Sequence, residues 1–154
     1  MDLASWGLGL LLIVLTIAIH TTAVVLMAFV LEAHIRPRLP APAPALRRAI
    51  PTMVGRIAIV TLILAALHGL EAVLWALAYW HLGALDDFTH ASIYSLATMT
   101  TFEIPDVTTA PRFHMISAVQ TVNGVLLFGI TTAFLFAVLQ VHWQLISRRG
   151  QEHV

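Results

Sequence analysis

Three long apolar runs, at residues 3–31, 57–82 and 113–146, leave little other chain to fold. A membrane helix needs roughly 20 predominantly apolar residues, and each run is longer than that. Only His20 and a few small polar residues interrupt the first run, while His68 and Glu71 stand inside the second. The 154 residues are 59% hydrophobic and only 10% charged, whereas soluble domains average about 25% charged. The expectation is a single all-α membrane domain with three transmembrane helices. No Lys or Arg precedes the first run, so it reads as a retained span and not a secretory signal. The third run would make a helix of about 50 Å, well beyond a hydrocarbon core of about 30 Å, and its end is expected to project from the membrane.

Residues 32–56 break this pattern. They hold Pro37, Pro40, Pro42, Pro44 and Pro51 together with five arginines, a mixture read as a polar connector that cannot continue a membrane helix. Every cationic side chain is arginine, and Arg36, Arg38, Arg47, Arg48, Arg56, Arg148 and Arg149 all fall in the connector or the tail. The excess of positive charge predicts a cytoplasmic connector and C-terminus, with the N-terminus outside and Arg112 alone on the outer face of a cell membrane. Trp6, Trp75, Tyr79, Trp80 and Trp143 suit the two interfaces. The implied organisation is an N-terminal helix at 1–32, a connector at 33–56, a three-element domain at 57–146 and a tail at 147–154. A net charge of zero without a basic block gives no reason to expect nucleic acid as a partner, and zero cysteines exclude thiol chemistry.

Between the second and third runs, residues 91–101 are about half apolar and half hydroxylated, which suits neither a lipid-facing helix nor an ordinary solvated loop. Asp86 and Asp87 are acids suited to a helix start, and no Gly or Pro follows before Pro105. One helix of about 14 residues, roughly 20 Å, fits there. Its length is about half a bilayer, so it is either a re-entrant helix sheltered by protein or an amphipathic helix lying on the outer surface. A re-entrant helix would aim its partly negative C-terminus at the membrane centre and favour cations there.

The segment Ser92-Ile-Tyr-Ser-Leu-Ala-Thr-Met-Thr-Thr-Phe-Glu-Ile-Pro-Asp106 resembles the pore helix and filter of the tetrameric potassium channel superfamily, whose signature is Thr-Thr-Val-Gly-Tyr-Gly-Asp. Thr100, Thr101 and Asp106 match. The run Asn123-Gly-Val-Leu-Leu-Phe-Gly-Ile-Thr-Thr-Ala133 resembles that family's inner helix, with Gly124 at the position of its hinge glycine. The likeness is most specific over residues 88–140 and looser from residue 57. Small bacterial members with an added leading helix are similar in layout. The resemblance implies a homotetrameric pore in a lipid bilayer. In it, Thr100, Thr101, Phe102, Glu103, Ile104, Pro105 and Asp106 form the filter, and Gly124, Val125, Phe128, Thr132 and Phe136 line or gate the pore. The last four are spaced by three and four and so share a helix face, although plain helix packing, with Gly124 and Gly129 permitting close approach, explains the same pattern.

Glu103 and Pro105 occupy positions where the potassium filter has glycines. Proline is fixed near a φ of about −65° and a Glu at positive φ is disfavoured, so a stacked carbonyl filter is not expected. Thr101-Phe-Glu103 is instead similar to the Thr-Leu-Glu of bacterial sodium channel filters. Four Glu103 carboxylates around one axis would repel one another and favour a permeant cation bound at Glu103 and Thr101; the alternative is a mouth residue that hydrogen-bonds the neighbouring loop. Asp106 would brace the loop or attract cations at the mouth.

His68 and Glu71 share one face of the second helix, with His20 of the first within reach. Ionisable groups in a span generally face protein and find partners. This cluster is either structural or a proton- or metal-binding site that biases gating. The expected function is a passive, weakly selective channel for monovalent or divalent cations, not an enzyme, with no cofactor beyond the permeant ion. Its rivals are a proton-coupled carrier using Glu71, His68 and His20, and a non-conducting assembly subunit.

Overall fold

The computed structural model describes residues 3–35 and 46–151, and contains four α-helices and a short 3-10 turn in the order α1 (Leu3–Ile35), α2 (Leu46–His81), α3 (Phe88–Met99), Pro111–Phe113 and α4 (His114–Gln151). No strand occurs among the described residues. Three helices carry segments long and apolar enough to cross a membrane: Trp6–Ala33, Ile50–His81 and Pro111–Val141. Arg36, Arg38, Pro37, Pro40, Pro42 and Pro44 lie outside the described residues.

Two boundaries differ from the sequence reading. The first helix runs to Ile35, and α2 begins at Leu46, inside the stretch assigned to the connector. Pro51 lies in the second turn of α2. A missing N–H so near a helix start removes one early intrahelical bond without interrupting the ladder that follows. The α4 helix spans 38 residues, about 57 Å at 1.5 Å per residue, and so exceeds a bilayer core as expected.

The side-chain contacts fix the directions of the helices. Thr16 pairs with Asn123, and His20 with Thr131, so α1 runs parallel to α4. Tyr79 meets Gln120, and His68 meets Thr131, so α2 runs antiparallel to both. Gly9 allows the α1–α4 approach, because a methyl group there would stand only 3.1 Å from a methyl of Val119. The larger core gathers Leu12, Trp75, Ala76, Tyr79, Ala91, Phe113 and Ile116; a smaller one joins Ala72, Met99 and Leu127. Much of the remaining apolar surface, including Leu11, Val14, Leu62 and Phe29, is exposed, as expected of faces turned to lipid or to other chains.

Helix α3 is short, 12 residues, and therefore about 18 Å long. Asp87 is its N-cap, accepting a 3.3 Å hydrogen bond from the His90 backbone N–H. That bond holds the Asp87 carboxyl below its usual range, against a small opposing effect of desolvation. From there α3 runs antiparallel to α2 and parallel to α4: Ser95 Oγ donates to the Ala72 carbonyl at 2.6 Å, and Thr121 Oγ1 to the Thr98 carbonyl at 3.3 Å. Its last residue, Met99, packs on Ala72 and Leu127 and against Gly124, near the middle of the α4 candidate span.

Candidate functional site

The end of α3 is built as a Schellman cap. Phe102 N–H donates to the Ala97 carbonyl at 2.8 Å and Thr101 N–H to the Thr98 carbonyl at 3.2 Å, the paired bonds of that motif. The residue after the cap must then be left-handed, and Thr101 is, with a φ of 60°. Glycine is the usual occupant. A β-branched residue there pays roughly 1–2 kcal/mol. The sequence reading expected neither Glu103 nor Pro105, the residues aligned with the family's filter glycines, to adopt a glycine conformation; the left-handed residue is Thr101, two positions before Glu103, where the helix ends.

The cap also changes the electrostatics expected of this helix end. The Leu96 and Ala97 carbonyls accept bonds from Thr100 and Phe102, and the Thr98 carbonyl accepts from Thr101 and Thr121. Three of the last four carbonyls are therefore occupied within the chain, and the negative end offered to a cation is correspondingly weakened. The Met99 carbonyl is directed at Gly124, with no room for a side chain between them.

Beyond the cap, residues 100–108 form an open loop. Ile104 to Val107 close a β-turn through a 3.1 Å bond, with Pro105 at the position where its fixed φ is favourable. Phe102 is 67% exposed. Glu103 and Asp106 are exposed, and neither carboxylate has a hydrogen bond or ion pair among the described residues. A cavity of about 350 Å³ lies between this loop and α4, lined by Tyr94, Thr98, Thr101, Glu103 and Thr121 among others.

The rest of the proposed pore face sits on α4. Val125, Phe128, Thr132 and Phe136 all reach the exposed surface, Thr132 also back-bonding to the Phe128 carbonyl at 2.8 Å. Phe128 turns partly inward, its ring 4.4 Å from that of His68. Gly124 is buried, and its position is that of a packing glycine under Met99.

A polar ladder that the sequence reading passed over ties these elements together. Tyr79 Oη donates to Gln120 Oε1 at 2.8 Å; Gln120 Nε2 donates to Ser95 Oγ at 2.7 Å; and Ser95 Oγ donates to the Ala72 carbonyl. Tyr94 Oη bonds Ser117 Oγ at 2.8 Å and Thr109 Oγ1 at 3.2 Å, which attaches the returning loop. Gln120, Ser95 and Tyr79 are wholly buried. The signal was available: Ser117, Gln120 and Asn123 recur every third residue inside an otherwise apolar run.

His20, His68 and Glu71 are brought together in the membrane-spanning core. His20 Nδ1 lies 2.9 Å from Glu71 Oε1, His68 Nδ1 lies 3.2 Å from Glu71 Oε2, and both histidine Nε2 atoms lie 3.0 Å from Thr131 Oγ1. The four residues form a closed ring across α1, α2 and α4. No protein-family model matches the chain, and no curated protein or solved structure compared with it matches either.

Proposed function

We propose that the chain is the subunit of a passive, weakly selective cation channel in which four copies surround one pore. The observation that carries this reading is α3. It is a half-length helix between two candidate spans, it ends on Gly124 near the middle of one of them, and its exposed loop carries two unpaired carboxylates. In this reading α3 is re-entrant, because backbone that stops halfway through a membrane needs protein or water around it, and neighbouring chains supply both. The exposed faces of α2 and α4 become subunit contacts or pore wall.

The loop acts as a constriction by charge and not by stacked carbonyls. The 104–107 turn folds the backbone back where a potassium filter would run extended. Glu103 from four chains then forms the cation-attracting ring, and Thr101 hydroxyls lie beside it. Like carboxylates at close quarters favour any bound cation that relieves their repulsion, and a doubly charged ion most of all. Phe136, 61% exposed on α4, provides an apolar narrowing toward the other end.

The test is the reversal potential of purified protein in a planar bilayer with potassium on one side and sodium on the other. A value near zero, together with divalent block that Glu103→Gln removes, is the expected result. A reversal near the potassium equilibrium value overturns weak selectivity, unchanged block in Glu103→Gln overturns the ring, and absence of current in every condition overturns the channel itself in favour of a carrier or an assembly subunit.

A further inference from the structure

The buried ring around Glu71 carries an inference that does not depend on the channel reading. A carboxylate in a membrane-spanning core is costly unless its oxygens are occupied. Glu71 and His20 are wholly buried and His68 is 7% exposed. Yet two atoms of this set, His68 Nδ1 and Glu71 Oε2, have no hydrogen-bond partner, although they lie only 3.2 Å apart. They are close enough to bond and are not lined up to do so.

Misalignment at contact distance is what two ligands of one ion show. In a hydrogen bond the donor's N–H points along the N···O line. In a metal site both lone pairs point at a third position, and the N···O line is only the edge of the coordination shell. With Zn–N and Zn–O distances near 2.1 Å, tetrahedral ligand atoms stand about 3.4 Å from one another. His68 Nδ1 and Glu71 Oε2 at 3.2 Å are within a few tenths of that spacing, and the donor atoms of His20, His68 and Glu71 all lie within 4.8 Å of one another, so that an ion would need to draw the set in by a small side-chain movement.

The far sides of the two rings fit the same arrangement. With Nδ1 of each histidine on an ion, each Nε2 must carry a proton and needs an acceptor. Thr131 Oγ1 lies 3.0 Å from both. A hydroxyl oxygen has two lone pairs, so one threonine can accept from both rings. Without an ion, His20 Nδ1 is bonded to Glu71 Oε1 at 2.9 Å while His68 Nδ1 and Glu71 Oε2 are left without a partner, so an ion would exchange the His20–Glu71 bond for bonds to all three groups.

We propose that His20, His68 and Glu71 bind a divalent transition-metal ion through the two Nδ1 atoms and the carboxylate, with Thr131 holding both rings from behind. Two imidazoles and one carboxylate without a thiolate form a donor set suited to zinc, with a fourth position for water or another oxygen. The ion would join α1 to α2, and Thr131 would link both to α4.

The experiment uses full-length purified protein in detergent, stripped with a chelator and titrated with cobalt(II), whose visible absorption reports low-coordinate nitrogen and oxygen ligation, then with zinc in competition. One cobalt per chain with tetrahedral-type bands, displaced by zinc, is expected. His68→Ala should weaken binding by about 100-fold or more and Thr131→Val by about 10-fold, while His81→Ala, outside the cluster, should leave it unchanged. Zinc should also raise the unfolding temperature of the parent protein and of Thr131→Val, and not that of His68→Ala. Because His68 is not essential to the larger core, a folded His68→Ala that retains the parent's cobalt spectrum and affinity overturns the proposal. So does a parent protein that gives only the spectrum of hydrated cobalt.

Discussion

The carbonyl oxygen of Met99 rests on the α-carbon of Gly124 so closely that a single added methyl group would overlap it. This contact sets where α3 stops along α4, and so where the loop carrying Glu103 begins.

Gly124→Ala should therefore displace the end of α3 at a cost of about 1–3 kcal/mol, the range for overpacking a close-fitted contact. Gly129, with no atom near enough to meet an added methyl group, is the matched control and should tolerate alanine. Reversible unfolding in mixed micelles compares the two. Equal stability in both variants would contradict the close approach at Gly124.

Thr101→Gly should stabilise the protein by about 1 kcal/mol, since glycine reaches the left-handed region without the clash that threonine suffers. The greater freedom of glycine in the unfolded chain offsets part of this gain. A loss of stability would mean that the Thr101 side chain contributes more than its backbone strain costs. The same variant, assayed for permeation, separates the role of the hydroxyl from that of the cap.

Tyr79→Phe removes the donor to Gln120 Oε1 and leaves that buried oxygen without its 2.8 Å bond. The expected loss is about 1–3 kcal/mol. Gln120→Leu should cost more, because it also removes the bonds from Gln120 Nε2 to Ser95, and a double-mutant cycle with Tyr79→Phe isolates the Tyr79–Gln120 coupling.

Asp87 provides the pH-dependent prediction. Its carboxyl is held low by the His90 backbone N–H, so the folded state favours the charged form. That contribution is present at pH values above the ordinary aspartate range of about 4 and is lost as pH falls through the lower folded value. Protection of the His90 and Ala91 amides, measured against their intrinsic exchange rates at each pH, should fall on acidification in the parent protein. Asp87→Asn keeps a cap and should show no such fall, whereas Asp87→Ala should be less protected at every pH.

The parts of this architecture that depend on local pattern were legible. Apolar run length located the three candidate spans, and Asp87 marked the start of α3. The three-residue spacing of His68 and Glu71 placed them on one face with His20 within reach, and the structure adds Thr131. What escaped notice depends on neighbours distant in the chain. Leu46 to Arg56 looked like connector because proline and arginine dominate it, yet a proline in the second turn does not stop a helix. The left-handed angle at Thr101 was not foreseen, because the way α3 ends sets it. Gly124, aligned with a hinge or else permitting close approach, is where α3 comes to rest, and which segment approaches it is visible only once Met99 is beside it.

Thr16 and Asn123 exchange hydrogen bonds at 2.9 and 3.2 Å one residue before Gly124. Above this point α4 is fastened on three sides, by α1, by α3 and by the tyrosine and glutamine of the ladder. Farther along the same helix, Thr131 ties α4 to α1 and α2 through His20 and His68. Between Ser117 and Thr131 the polar side chains of α4 act as a row of rivets, and a slip of α4 along its own axis must break several of them at once.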